Sequence, residues 1–165
     1  MEGINNGGRV LVSAGSGSPN IASKLNTASM TIEVWCWYDG DGREVLVSRW
    51  GSGFPNQFNM ICDPNGQFHF NNGGVGAGSG NISGEHFPDK TWHHHVWQYD
   101  AVVNTVNRWY INGAFANSYD AGSSLAVSSS TGFGIFSRAD RAEDWRGKIA
   151  IVRIYNRALL SLIHI

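Results

Sequence analysis

Apolar and polar residues alternate with a period of two through most of this chain, and short alternating runs are broken by turn-forming residues. The clearest run is Met30–Tyr38. Ile32, Val34 and Cys36 fall on one face of it, and Glu33, Trp35 and Trp37 on the other. Bulk on both faces predicts a central strand, with one face on the core and the other against loops or a groove. Further strands are predicted over residues 9–12, 44–49, 132–136 and 148–155. In the last, Ile149, Ile151 and Arg153 share one face, and Ala150, Val152 and Ile154 the other. Residues 57–62 and 66–70 form a predicted hairpin around Asp63-Pro64-Asn65-Gly66. Residues 93–100 and 105–111 form a second, and Asn112-Gly113 opens the turn that follows. Residues 13–20, 39–42, 50–56 and 71–84 read as loops. Helical periodicity is absent until 158–165, which fits one short helix or an extended tail. Roughly ten short strands with no βαβ unit predict an all-β fold, a two-sheet antiparallel jelly-roll sandwich. No internal repeat or composition break divides residues 1–165, so one domain is expected.

Composition sharpens this picture. The chain has 21 Gly but only 4 Pro, and aromatics make up 12% of it, with 7 Trp. Abundant aromatics argue against disorder, and Gly clusters fit tight turns between strands. The 12 basic and 13 acidic residues leave a net charge of -1. That balance excludes a nucleic-acid partner, since phosphate binding needs a cationic excess. No apolar run reaches the roughly 20 residues of a membrane helix, so membrane insertion is not expected. Residues 1–13 lack the basic start and apolar stretch of a signal peptide. Cys36 and Cys62 allow either one bridge or two small buried residues.

Five segments, in order, resemble one family. Met30-Thr31-Ile32-Glu33-Val34-Trp35 is similar to the strand F-T-I-E-A-W of laminin-G-like domains, and Val45-Leu46-Val47-Ser48-Arg49 to the I-L-S-K strand after it. Residues 91–100, Thr-Trp-His-His-His-Val-Trp-Gln-Tyr-Asp, resemble W-H-H-V-A-x-x-Y-D. Trp109-Tyr110-Ile111-Asn112-Gly113 resembles L-Y-V-N-G, and residues 145–159 resemble the closing F-x-G-x-I-D-E-V-R-I-Y-N-R-A-L. The chain thus resembles the laminin-G-like branch of the concanavalin A-like lectin/glucanase superfamily over residues 30–159. The resemblance implies two antiparallel sheets in a jelly roll, and carbohydrate or protein binding within larger extracellular or viral proteins. Two departures stand out. Ile149-Ala150-Ile151-Val152 replaces I-D-E-V, which removes an acidic pair, and the tail after Leu159 does not continue into the family's S-x-x-E-I.

The glucanases of that superfamily carry E-x-D-x-E on one strand. Residues two apart share a face and reach the roughly 5–5.5 Å that retaining hydrolysis needs. No strand here has such a pair. Glu33 stands alone, and Glu143 and Asp144 are adjacent, so catalysis is not expected and a glycoside hydrolase is the least favoured reading. In His93-His94-His95 only His93 and His95 share a face. Two His without a third ligand make a poor zinc site, so their role reads as structural. Calcium is a candidate cofactor, because the relatives often bind it and oxygen ligands suit it. Asp39, Asp41, Asp140 and Asp144 are the candidate ligands, although turn chemistry explains Asp-Gly equally well.

Sugar recognition needs a flat aromatic face for ring C–H groups and planar polar side chains for hydroxyls. The predicted loops supply Trp50, Phe54 and Asn56, then Asn71 and Asn72, then Arg138, Arg141 and Trp145. The strand tryptophans Trp35, Trp37, Trp92, Trp97 and Trp109 are expected mostly in the core, with an exposed row if one sheet face lines a groove. The favoured function is a non-catalytic, lectin-like carbohydrate-binding module whose partner is a carbohydrate or glycoprotein. The alternative is a protein-interaction or structural module, an oligomer or a part of a larger assembly. Either reading implies an extracellular, cell-surface or virion location.

Overall fold

A chain whose side chains alternate must bury one face of each strand against another layer, and here two sheets do this for each other. The computed structural model describes residues 10–12, 29–39, 42–51, 53–64, 67–72, 82–86, 90–100, 106–120, 132–138 and 143–159. These residues form eleven strands: β1 (Val10–Val12), β2 (Met30–Tyr38), β3 (Glu44–Gly51), β4 (Gly53–Cys62), β5 (Gln67–Asn72), β6 (Ile82–His86), β7 (Trp92–Asp100), β8 (Val106–Ile111), β9 (Ala114–Asp120), β10 (Phe133–Ile135) and β11 (Gly147–Tyr155). They form a six-stranded sheet in the order β1-β10-β3-β4-β5-β6 and a five-stranded sheet in the order β11-β2-β7-β8-β9. All ladders are antiparallel. Among the described residues there is no helix. The all-β jelly-roll sandwich is as the alternation predicts, and β2 is central, paired to β11 and β7.

The core lies between the sheets. Met30, Ile32, Val34, Cys36 and Tyr38 of β2 are fully buried and face Phe58, Met60 and Cys62 of β4 and Phe68 and Phe70 of β5. Aromatic rings hold the layers together. Phe70 and Trp97 stack with centroids 3.5 Å apart, and Phe58 lies 6.1 Å from Phe70 and 6.0 Å from Phe133. Such pairs add about 0.5–1.5 kcal/mol each beyond the area they bury. Both thiols are free and buried, and burial pushes the Cys36 thiol well up from its ordinary value. His93 and His95 do point inward together, as alternation requires, and both are buried. His95 stacks on Phe68 at 4.5 Å and lies 5.6 Å from Trp109.

Several expectations are corrected. Residues 50–56 are not a loop: Trp50 and Gly51 end β3, and β4 starts at Gly53, with Gly51 paired to Gly53. β5 runs on through Asn71 and Asn72, and β6 occupies part of the expected loop over 71–84. β9 was not foreseen. It returns from Asn112-Gly113, whose φ values of 48° and 81° make the mirror-image turn suited to a two-residue hairpin. In β11 a bulge between Ile149 and Ile151 inserts Ala150 without a partner. The extra residue exchanges the two faces beyond it. Ile149, Val152 and Ile154 therefore pack on the core, and Ile151 and Arg153 lie opposite the outward residues Trp35 and Glu33. The strand tryptophans divide: Trp97 and Trp109 are core, while Trp35 and Trp92 are exposed. Residues 158–159 are not helical, and 160–165 lie outside the described residues.

Two predictions follow from the packing. Burial, with His93 and His94 close by, lowers the pKa of His95 from 6.5 to about 3. The folded state then binds fewer protons than the unfolded state between those values. Stability is full above pH 6.5 and falls as pH drops toward 3, at up to about 1.4 kcal/mol per pH unit. Urea unfolding at pH 7 and pH 5 is expected to differ by about 2 kcal/mol from this group, and His95→Phe should remove that difference. Gly147 has φ +152°, and a Cβ there would lie 2.1 Å from the Trp37 carbonyl oxygen and 2.8 Å from Trp145 Nε1. Gly147→Ala is expected to cost at least about 2 kcal/mol by thermal unfolding. An unchanged melting temperature would refute that.

Candidate functional site

The outward face of the five-stranded sheet carries a cluster that the core does not require. Glu33 is 2% exposed, although it points away from the core. Its carboxylate is compensated from the two neighbouring strands, β7 and β11. Arg153 Nη1 donates to both oxygens, at 3.0 Å each. His94 Nε2 lies 3.1 Å from Oε1, and Tyr155 donates its hydroxyl to Oε2 at 3.5 Å. The register explains the convergence: Glu33 is opposite Arg153 on one side and Val96 on the other, and His94 is opposite Trp35. Glu33 raises the pKa of Arg153, chiefly by accepting its hydrogen bond. The Arg153 side chain is 51% exposed, so this pair is solvent-screened and its role is orientation more than stability.

Next along the strands come the aromatics. Trp35 stacks on the His94 ring, with centroids 4.8 Å apart and planes 15° from parallel. Trp37 lies opposite Trp92, and Lys148 Nζ sits 4.7 Å over the Trp37 ring. Trp35 is 37% exposed and Trp92 46%. At its other end the face is closed by the segment after β11. Thr31 Oγ1 donates to Arg157 O at 2.9 Å and accepts from Leu159 N at 3.0 Å, while Gln98 Nε2 donates to Leu159 O. The open surface therefore runs from the Glu33–Arg153 pair to Trp92.

The residues expected to bind ligand do not form one site. Trp50 is half-buried near the end of β3. Phe54 and Asn56 lie on β4, and Asn71 and Asn72 end β5, paired to Asn59 and Phe58. Pairing brings all of these toward one end of the six-stranded sheet. Arg138 and Trp145 lie toward the other end, where β3 begins. At roughly 3.3 Å per residue, the length of β3 puts the two groups on the order of 20 Å apart. Trp145 is no platform. It is 2% exposed, packs 5.3 Å from Tyr38 and 6.0 Å from Phe68, and its backbone N donates to Phe136 O at 2.7 Å. Arg138 pairs with Glu143 at 3.8 Å. Arg141 lies outside the described residues.

Of the calcium candidates, Asp39 and Asp144 are exposed and belong to the same end. Asp39 N donates to Arg146 O at 3.3 Å, and Asp144 bridges Val45. Asp41 and Asp140 lie outside the described residues. Calcium takes six to eight oxygens, and two exposed carboxylates alone do not fit it. Among the described residues no group of three His, Cys, Asp or Glu side chains could hold a metal. A cleft of about 410 Å³ opens here, lined by residues 42–44 and 143–146. Its charges face each other: Arg43 lies 3.8 Å from Asp63 and 3.7 Å from Glu143, and Arg146 N donates to Glu44 at 2.6 Å. The cleft is thus largely self-neutralised. The outer face leaves Lys148 and about half of the Arg153 side chain open; His94, Lys148 and Arg153 were absent from the expected set, and Trp35 and Trp92 entered it only as an exposed row should one sheet face line a groove. The signal for them was the row Glu33, Trp35, Trp37 on the non-core face of β2.

Comparison with known proteins places the fold. Among the structural neighbours is the CBM40 module of the Ruminococcus gnavus IT-sialidase bound to α2,3 sialyllactose. It has a TM-score of 0.70 and 14% identity, over 87% of this chain and 84% of that one. A heptameric SAP-like pentraxin of Limulus polyphemus matches with TM-score 0.61 and 16% identity, over 81% of this chain and 66% of its own. The NanB sialidase of Streptococcus pneumoniae matches with TM-score 0.71 and 17% identity over 93% of this chain, which spans only 25% of that enzyme. At these identities the likeness shows the fold. No curated protein matches the chain in sequence. Among the described residues no helix is long and apolar enough to cross a membrane. The family model described as the concanavalin A-like lectin/glucanases superfamily, laminin-G-like, matches residues 10–161, and the chain belongs to that family.

Proposed function

We propose that this chain is a non-catalytic carbohydrate-binding module, lectin-like in action, and that it receives sugar on the outward face of the five-stranded sheet. The observation that carries this reading is the pair of exposed tryptophans, Trp35 and Trp92, on strands that hold them rigid. Large aromatic faces left to solvent on a sheet forgo burial, and they suit the apolar C–H faces of sugar rings. The Ruminococcus gnavus neighbour, a carbohydrate-binding module in complex with sialyllactose, supports the same use of the fold. Glu33 is the only carboxylate among the described residues of its strand, and it is held by Arg153 and His94, which supports recognition without hydrolysis. Such a module works outside the cell, at a cell surface or on a virion, as part of a larger assembly. Calcium bound through Asp39 and Asp144 would act at the cleft end of the sandwich and not at this face. A second reading, a protein-interaction module, is favoured by Phe115, which is 60% exposed and packs edge-on 5.8 Å from Tyr110.

A glycan-array screen with and without a chelator tests the proposal. Selective binding is expected, weakened about tenfold or more in Trp92→Ala, because one stacked ring contributes on the order of 1 kcal/mol or more. Chelation is expected to leave that binding intact. Trp92 is half outside the fold already, so the variant should melt near the wild-type temperature. A blank array together with self-association that Phe115→Ala abolishes would favour the interaction module.

A further inference from the structure

The geometry points to an acidic sugar, one bearing a carboxylate or sulfate, as the ligand of the outward face, with the free edge of the Arg153 guanidinium as the receptor for its oxyanion. This rests on the carbohydrate-binding reading above and names the ligand class of the same site.

The argument begins with what Glu33 leaves unused. Only Nη1 of Arg153 engages the carboxylate, at 3.0 Å to each oxygen. Nε and Nη2 donate to no partner among the described residues, and the side chain is half exposed. A guanidinium has five N–H donors in a rigid planar fork that matches a carboxylate or sulfate in bidentate fashion. One corner of the fork is anchored by a buried carboxylate, so the remaining donors are already oriented and little side-chain entropy is lost when they bind. The anchor itself cannot compete for a ligand cation, because Glu33 is buried and already satisfied by Arg153, His94 and Tyr155.

The charge of the surroundings has the same sign. Lys148 flanks the open surface at its far side, over Trp37. Asp100, on the same face of β7 as His94, lies at the covered end, where it accepts from Ser29 Oγ at 3.4 Å. On the open part of the face the described strand residues thus carry two cations, Arg153 and Lys148, against one carboxylate, Glu33, which is already paired. The self-paired charges of the end cleft offer no such complement. Trp35 lies opposite Ile151, the outward neighbour of Arg153 on its strand, so an acid group at Arg153 would set the attached ring toward the Trp35 and Trp92 faces.

The test is titration of the whole chain with matched oligosaccharides: lactose, sialylated lactose, sulfated lactose and a uronate-containing oligosaccharide. At least one acidic member is expected to bind about tenfold or more tightly than lactose, with the preference shrinking as salt rises from low to physiological. The sialylated and uronate arms against the sulfated arm distinguish carboxylate from sulfate. Arg153→Lys keeps a cation facing Glu33 but removes the planar edge. It is expected to lose most of the acidic preference, read as the ratio of acidic to neutral affinity. Should that variant fail to fold, Lys148→Ala, outside the Glu33 cluster, and the salt dependence of the wild type carry the test. Equal binding of neutral and acidic members, or a preference that Arg153→Lys leaves intact, overturns the inference. Neutral binding that Trp92→Ala abolishes overturns it while leaving the carbohydrate reading standing. No binding of any sugar overturns both.

Discussion

The period of two in β2 ties the core and the outward face to a single register. Its inward set, Met30, Ile32, Val34, Cys36 and Tyr38, is fully buried. Glu33, Trp35 and Trp37 then have no direction but outward. A slip by one residue would drive the Glu33 carboxylate among Phe58, Phe70 and Trp97 and bring Ile32 and Val34 to the surface, which is why the register is strongly specified. β7 obeys the same rule from the other side. His93, His95, Trp97 and Tyr99 fill the core, so Trp92, His94 and Val96 meet the outward residues of β2. The packing that stabilises the sandwich also sets the spacing of side chains on the outward face.

Burial of Glu33 is the second constraint, and it follows from the first. A carboxylate removed from water needs compensation from donors, and a buried ion pair of this kind adds little net stability against an apolar alternative. What it does supply is orientation. The donors arrive from β7 and β11, on either side of β2, and each is fixed by pairing to it. The bulge at Ala150 is what makes this possible. Without it Arg153 would keep the face of Ile149, which packs on the core.

The fold was legible because it is written in alternation and turn chemistry, both local. Met30–Tyr38, the Asn112-Gly113 turn and the paired faces of His93 and His95 could all be read from spacing alone. The candidate site was only half legible. The row Glu33, Trp35, Trp37 was visible, but its partners His94 and Arg153 lie 61 and 120 residues away, and only the strand order joins them. Glycine and proline misled over residues 50–56. Gly51, Gly53 and Pro55 read as breakers, yet Gly51 pairs with Gly53 across a tight reversal. Trp145 misled for a similar reason. It sits in irregular chain, which favours exposure, but the Tyr38 and Phe68 rings and a backbone bond to Phe136 draw it inside. The Ala150 bulge left no mark, since Ile149-Ala150-Ile151-Val152 alternates no differently from a regular strand.

The closing segment shows why the open surface lies where it does. Thr31 Oγ1 donates to Arg157 O and accepts from Leu159 N, so a single hydroxyl latches the chain across the outward face. Gln98 adds a side-chain bond to Leu159 O, and the Leu159 side chain is buried. These contacts satisfy backbone groups that would otherwise lack partners once the segment leaves β11. The cover stops short of Trp35 and Trp92. Burying those two rings would contribute free energy of the order of 1 kcal/mol or more each. The chain covers Thr31 and Gln98, which are polar, and leaves the two indoles open. That distribution opposes what packing alone would select, and it is what the proposed sugar-binding face would use.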